Sequence, residues 1–129
     1  MVIDTSAVIA ILQDEPEHRR FVEALDAAAS RLMSVATHVE TSMVVEARRG
    51  ADGLRILDRF VERIGIELVP VDVSQGRAAR DAFGRYGKGR HPARLNYGDC
   101  FSYALARTKD EPLLCKGDDF THTDLVLVC

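Results

Sequence analysis

The sequence predicts an α/β fold: a central parallel sheet with helices on both faces. Two observations lead there. Short apolar runs of strand length (MVI at the start, RLMSVA at 31–36, IELVPVDV at 66–73, LLC at 113–115, LVLV at 125–128) alternate with stretches whose apolar residues recur every three or four positions. Strands that alternate with helices build crossover units, and crossover units join parallel strands and cover both sides of the sheet. At 129 residues the chain has room for one continuous core, so 1–129 reads as a single domain.

Val2 and Ile3 form the first strand, which runs through Asp4 into a helix starting near Ala7, where Ala7, Val8, Ala10, Ile11 and Leu12 share a face. Pro16 suits the first turn of a second helix, with Phe21, Val22, Leu25 and Ala28 on its apolar side. After the strand at 31–36, Thr37 is a candidate cap for THVETSMVVEARR, and Leu54, Leu57, Phe60, Val61 and Ile64 predict a further helix beyond a break at 50–53. The third strand ends near Pro70, and Ser74 opens a helix through Phe83. Gly84, Gly87, Gly89 and Pro92 predict that RYGKGRHPARLNYGD is a loop. A helix over DCFSYALART, the LLC strand, a KGDDF turn and a final strand complete the chain, with no internal repeat or low-complexity segment.

A composition of 47% hydrophobic and 29% charged residues excludes a disordered chain. No apolar run approaches the length of a membrane span and the N-terminus lacks the flanks of a signal peptide, so the expected location is cytoplasmic, with no membrane partner. Cys100, Cys115 and Cys129 form no CxxC pair and read as small apolar fillers in a reducing compartment. A net charge of −3 argues against coating nucleic acid by bulk attraction. Locally, however, Arg77, Arg80, Arg85, Lys88, Arg90 and Arg94 face only Asp81 in sequence, which makes either a solvated helix face with a loop or a phosphate-contacting surface. Tyr86 and Tyr97 flank that segment, as candidates for base stacking or for packing.

Asp4 is the only charged residue in MVIDTSAVIAIL, and a carboxylate among apolar residues needs a hydrogen-bonding partner or a cation. Ligands of open parallel sheets bind just beyond the carboxyl ends of the strands. Asp4 ends the first strand, Asp118 and Asp119 follow the LLC strand, Asp99 begins the helix before it, and Glu40 lies one turn into the helix after the second strand. Each has a plainer reading: a helix cap for Asp4 or Asp99, a capping box with Thr37 for Glu40, a turn for Asp118 and Asp119. Several carboxylates at one sheet edge repel one another unless a cation neutralises them, and an oxygen-only donor set favours Mg²⁺ or Mn²⁺ over zinc. His18, His38, His91 and His122 have no metal-binding spacing.

In this order MVIDTSA, VETSMVV, LNYGDCFSYALA and LLCKGDDF resemble the PIN-domain ribonucleases of the VapC toxin type, over essentially the whole chain. The resemblance implies a three-layer α/β/α sandwich, a homodimer, Mg²⁺-dependent cleavage of RNA such as tRNA or ribosomal RNA, and a cognate VapB-type antitoxin that covers the site and relieves the block on translation and growth. By motif it implies Asp4, Glu40, Asp99 and Asp118 as catalytic metal ligands, with Asp119 an alternative to Asp118, and Thr5, Ser6 and Asn96 supporting them. Water activated by the cation then attacks the phosphodiester and leaves 5′-phosphate ends. Arg85, Lys88, Arg90 and Arg94 are the candidate RNA contacts.

Other classes fit less well. A haloacid-dehalogenase-like phosphatase needs an acid where Ser6 stands, a receiver domain needs differently spaced acids, and no GxGxxG or Walker loop is present. A DNA-directed metal nuclease of the same structural group and a non-catalytic RNA-binding PIN domain remain the alternatives.

Overall fold

A computed structural model describes residues 1–128; Cys129, one of the three cysteines read as fillers, lies outside the described residues. The elements run β1 (Val2–Ile3), α1 (Thr5–Leu12), α2 (His18–Ala27), β2 (Leu32–Ser34), α3 (Val35–Ile64), β3 (Glu67–Val69), α4 (Val73–Tyr86), α5 (Tyr97–Lys109), β4 (Leu113–Leu114) and β5 (Leu127–Val128). All pairings are parallel, in the order β3-β2-β1-β4-β5, as the alternation of strands and helices predicted.

The strands separate two cores by their period of two. Val2, Leu32 and Leu113 point to one face, where they pack with Tyr86 of α4 and Leu105 of α5; Ile3, Met33 and Leu114 point to the other, against Val8 of α1, Phe21 and Leu25 of α2 and Leu57 of α3. Helices therefore cover both sides in three layers. The chain winds outward from β1 through β2 to β3, then crosses back to place β4 on the other side of β1. That reversal opens a crevice beyond the carboxyl ends of β1 and β4, the place where such sheets bind ligands.

Several boundaries depart from the sequence-based expectation. Pro16 lies in the turn before α2, which starts at His18. The cap of α3 is Ser34, whose Oγ accepts from the Ala36 N–H at 3.2 Å, so Thr37 and Glu40 are inside the helix and form no capping box. The predicted break at 50–53 is a kink at Gly50 (φ 61°, ψ −148°) within one 30-residue element. Helix α4 begins at Val73, with Asp72 as its cap, and continues to Tyr86, which places Gly84 in the helix rather than the loop. Asn96, not Asp99, caps α5.

Candidate active site

The crevice is a cleft of about 470 Å³ whose lining includes Asp4, Glu40, Asp99 and Asp119. Four elements deliver them. Asp4 follows β1 and doubles as the cap of α1: its Oδ2 accepts from the Ser6 N–H (3.0 Å) and from Ser6 Oγ (2.7 Å). Its Oδ1 accepts from Ser102 Oγ at 2.6 Å. Three donors hold in place a side chain only 5% exposed and leave acceptor capacity on Oδ1.

Asp99 occupies the third position of α5, where its Oδ2 accepts from the Asn96 N–H (3.0 Å) while its own N–H donates to Asn96 Oδ1 (2.9 Å). This reciprocal box locks the carboxylate and leaves Oδ1 with no donor among the described residues. Burial pushes Asp99 up to about 7; the Asn96 N–H pulls it down, and the charges of Asp4, Asp119 and Glu40 push it up again. Glu40, on the second turn of α3, accepts at Oε1 from Thr5 Oγ1 (2.8 Å) and lies so close to Gly98 that any side chain at that position would overlap its carboxylate.

Of the doubled acid after β4, Asp119 lines both the cleft and the neighbouring groove, whereas Asp118, the acid preferred from the sequence, lines the groove alone. Successive residues in a turn point in different directions, and this turn follows Gly117, which is in the left-handed region (φ 98°).

Among the described residues, no three histidine, cysteine, aspartate or glutamate side chains close into a ready ligand cage. The donor set nevertheless fits an oxygen-seeking divalent cation. Asp4, Glu40, Asp99 and Asp119 share one cleft with Glu15, which is paired with Lys116, free acceptor sites remain on Asp4 and Asp99, and the neighbouring negative charges that add to the effect of burial on Asp99 are what a cation would relieve. Cys100 and Cys115 are buried fillers: burial pushes Cys100 up to about 11 and Cys115 up to about 12.

Of the expected supporting residues, Ser6 donates to Asp4 and Asn96 to Asp99, whereas Thr5 donates to Glu40. Sequence reasoning missed Ser102, which is fully buried, bridges Asp4 to α5 and lies 3.3 Å from Thr37 Oγ1. Its signal was legible: a hydroxyl three residues after Asp99, on a helix otherwise buried through small and apolar side chains. Lys116 was also missed. Its N–H donates to Ser6 Oγ at 2.9 Å, and its ammonium is clamped by Glu15 (2.9 Å) and Glu17 (3.2 Å).

The four basic candidates separate. Lys88 and Arg94 line a groove of about 370 Å³ that meets the cleft at Asp119. Arg94 has φ 56°, a conformation uncommon outside glycine, and its N–H is tied to the His91 carbonyl at 3.0 Å. Arg85 instead donates to the Tyr86 hydroxyl and stands 3.8 Å from Asp124, and Arg90 lies 5.3 Å over the Phe83 ring, so neither lines the groove. Tyr86 is buried against Tyr103 and His91 and is a packing residue; Tyr97 is 81% exposed.

Comparison with known proteins places this geometry in a family context. The model of the PIN domain matches residues 1–125. The VapC ribonuclease Mb0640 of Mycobacterium bovis is 55% identical over 128 residues, 99% of this chain and 98% of that protein. A ribonuclease VapC of Mycolicibacterium smegmatis is 52% identical over 99% of both chains. Among solved structures, VapC20 of Mycobacterium tuberculosis, a sarcin-ricin loop cleaving toxin, superposes with a TM-score of 0.78 at 16% identity, covering 97% of this chain and 95% of its own. VapBC2 of Rickettsia felis, solved bound to a DNA fragment from its promoter, gives 0.73 at 17% identity over 98% and 95%. At such identities these superpositions speak to the fold.

Proposed function

The chain belongs to the PIN domain family, and we propose that it is a divalent-cation-dependent endoribonuclease, the toxin of a toxin–antitoxin pair that blocks translation by cutting tRNA or ribosomal RNA. The observation that carries this reading is the convergence of Asp4, Glu40, Asp99 and Asp119 on one cleft at the sheet's switch point. Relatives at 55% and 52% identity carry the ribonuclease name, and solved complexes of the same fold are toxin–antitoxin assemblies, which supports an antitoxin partner here.

In this reading Asp4, Glu40, Asp99 and Asp119 hold Mg²⁺, with Mn²⁺ able to substitute. When bound, the cation supplies charge neutralisation at the phosphodiester and activation of water. The chain's own contribution is preorganisation: Ser6 and Ser102 fix Asp4, Asn96 fixes Asp99, and Thr5 fixes Glu40. Lys88 and Arg94 bind the strand backbone beside the acids. In this reading water, and not the ribose 2′-hydroxyl, is the nucleophile, so the expected products carry 5′-phosphate and 3′-hydroxyl ends. A homodimer and a cytoplasmic location complete the proposal.

The test is cleavage of total tRNA by the wild type, Asp99→Asn, Asp119→Asn and Asp118→Asn, with Mg²⁺, Mn²⁺ or EDTA. Expected are wild-type cleavage abolished by EDTA, losses of at least about 100-fold for Asp99→Asn and Asp119→Asn, and a much smaller effect of Asp118→Asn. Products ending in 2′,3′-cyclic phosphate would overturn the mechanism. Cleavage of single-stranded or flap DNA in place of RNA would favour the DNA-directed alternative, and cation binding without cleavage of either would favour the non-catalytic one.

A further inference from the structure

Two cations line the acidic cleft, Lys116 and Arg48. Lys116 is spent internally: its ammonium sits between Glu15 and Glu17, which leaves its neighbourhood with no surplus positive charge. Arg48 is exposed and makes no ion pair among the described residues. Its own helix offers it no free acid: the residues three and four positions away are Val44, Val45, Ala51 and Asp52, and Asp52, which lies beyond the Gly50 kink, pairs with Arg55.

Its position is set by helical periodicity. Glu40, Val44 and Arg48 follow one another at four-residue spacing and all line the cleft, so one face of α3 carries the carboxylate and, two turns on, the guanidinium. Eight residues of helix separate their backbones by about 12 Å. Glu40 abuts Gly98, close to Asn96, which lines the Lys88–Arg94 groove; Arg48 is therefore at the far end of the α3 wall, where that groove does not reach. Arg48 also lines a narrow recess with Ile9 and Leu12, at the apolar edge of the cleft.

We infer that Arg48 contacts a backbone phosphate of the bound RNA beyond the acid cluster, so that the strand is held at two points, by Lys88 and Arg94 on one side of the acids and by Arg48 on the other. The assignment rests on the ribonuclease reading above. An acidic cleft repels a polyanion, and a fixed cation on each flank keeps the strand across the acids. Arg48 acts before and throughout the chemistry, as uniform binding, and its removal raises KM while kcat stays unchanged.

Arg49 provides the control, because it lines the same recess with Ile9 and Leu12 but does not line the cleft. Arg48→Ala, Arg48→Lys and Arg49→Ala are compared with the wild type for tRNA cleavage with Mg²⁺, and in an Asp99→Asn background for tRNA binding between 50 and 200 mM salt. For Arg48→Ala the expected result is a rise in KM of about threefold or more with kcat within about twofold, and a salt slope smaller by about 0.7–0.9, the share of one phosphate contact. Arg48→Lys restores part of the slope, and Arg49→Ala behaves as wild type. Arg48→Ala indistinguishable from Arg49→Ala, with wild-type cleavage intact, overturns the Arg48 contact alone. A folded wild type that neither binds nor cuts RNA overturns the ribonuclease reading and this contact with it.

Discussion

Asp99 shows how one residue carries both a structural and a chemical task. As the third residue of a capping box it closes the first turn of α5, yet it does so in a buried position facing three other acids, which holds it at about 7 instead of near 3.8. A carboxyl group raised in the folded state binds its proton there while the unfolded chain has lost it. Stability from this group is therefore full below about pH 4, falls as pH rises toward 7 and stays low above it, by up to about 4 kcal/mol. Glu17, Glu111 and Asp124 are shifted downward by their hydrogen bonds, so their contribution changes at acid pH, outside this window. Urea unfolding in EDTA is expected to show the wild type losing stability between about pH 5 and 7 and little more above, while Asp99→Asn, which mimics the neutral acid, loses little. Equal slopes for the two proteins would contradict the assignment.

At the scale of elements, the site depends on how α3 and α5 meet. Glu40 reaches the cleft because the residue opposite it on α5 is glycine, and the carboxylate occupies the space where a Cβ would stand. Gly98→Ala is favourable for the helix itself by up to about 1 kcal/mol, since alanine loses less chain entropy. The glutamate is the flexible partner and swings away. The expected outcome is an unchanged or slightly higher Tm together with a 10- to 100-fold loss of kcat/KM, the usual cost of displacing a group at a reacting centre by about 1 Å. Full activity would show that Glu40 is not needed where it stands. The Gly50 kink serves the same helix differently, since it lets the first half keep Glu40 and Arg48 on the cleft while Leu57 in the second half is buried against the sheet.

Over the whole molecule, charge is distributed against the grain of its net value. The chain is acidic overall and its cleft is acidic, yet unpaired cations flank that cleft. Only part of the basic segment contributes: Arg85 joins Arg107 in holding Asp124, which also accepts from the Tyr103 hydroxyl at 2.6 Å, and so fastens the C-terminal segment to α4 and α5. Lys88→Ala with Arg94→Ala is expected to lower the salt slope of tRNA binding by about 1.5, two phosphate contacts' worth, whereas Arg85→Ala with Arg90→Ala lowers it far less and Arg85→Ala costs stability through Asp124. Equal slopes for the two double variants would place the strand elsewhere.

Legible in the sequence alone were the parallel sheet, the family and the acids Asp4, Glu40 and Asp99 that line the cleft, because each follows from local periodicity or from a motif whose spacing is set within one element and its flanking turn. Asn96 and Ser6 were legible as supports too, since they are near neighbours in sequence of Asp99 and Asp4, whereas Thr5 serves Glu40, 35 positions away. Only the tertiary structure decided that Asp119 rather than Asp118 faces the cleft, that Ser102 holds Asp4 across 98 positions, that Lys116 is clamped by Glu15 and Glu17, and that Lys88 and Arg94 part company with Arg85 and Arg90. The physical reason is common to all four. A side chain's direction in a turn, and its choice among distant charged or hydroxyl partners, depends on which elements pack beside it, and local sequence carries no record of that.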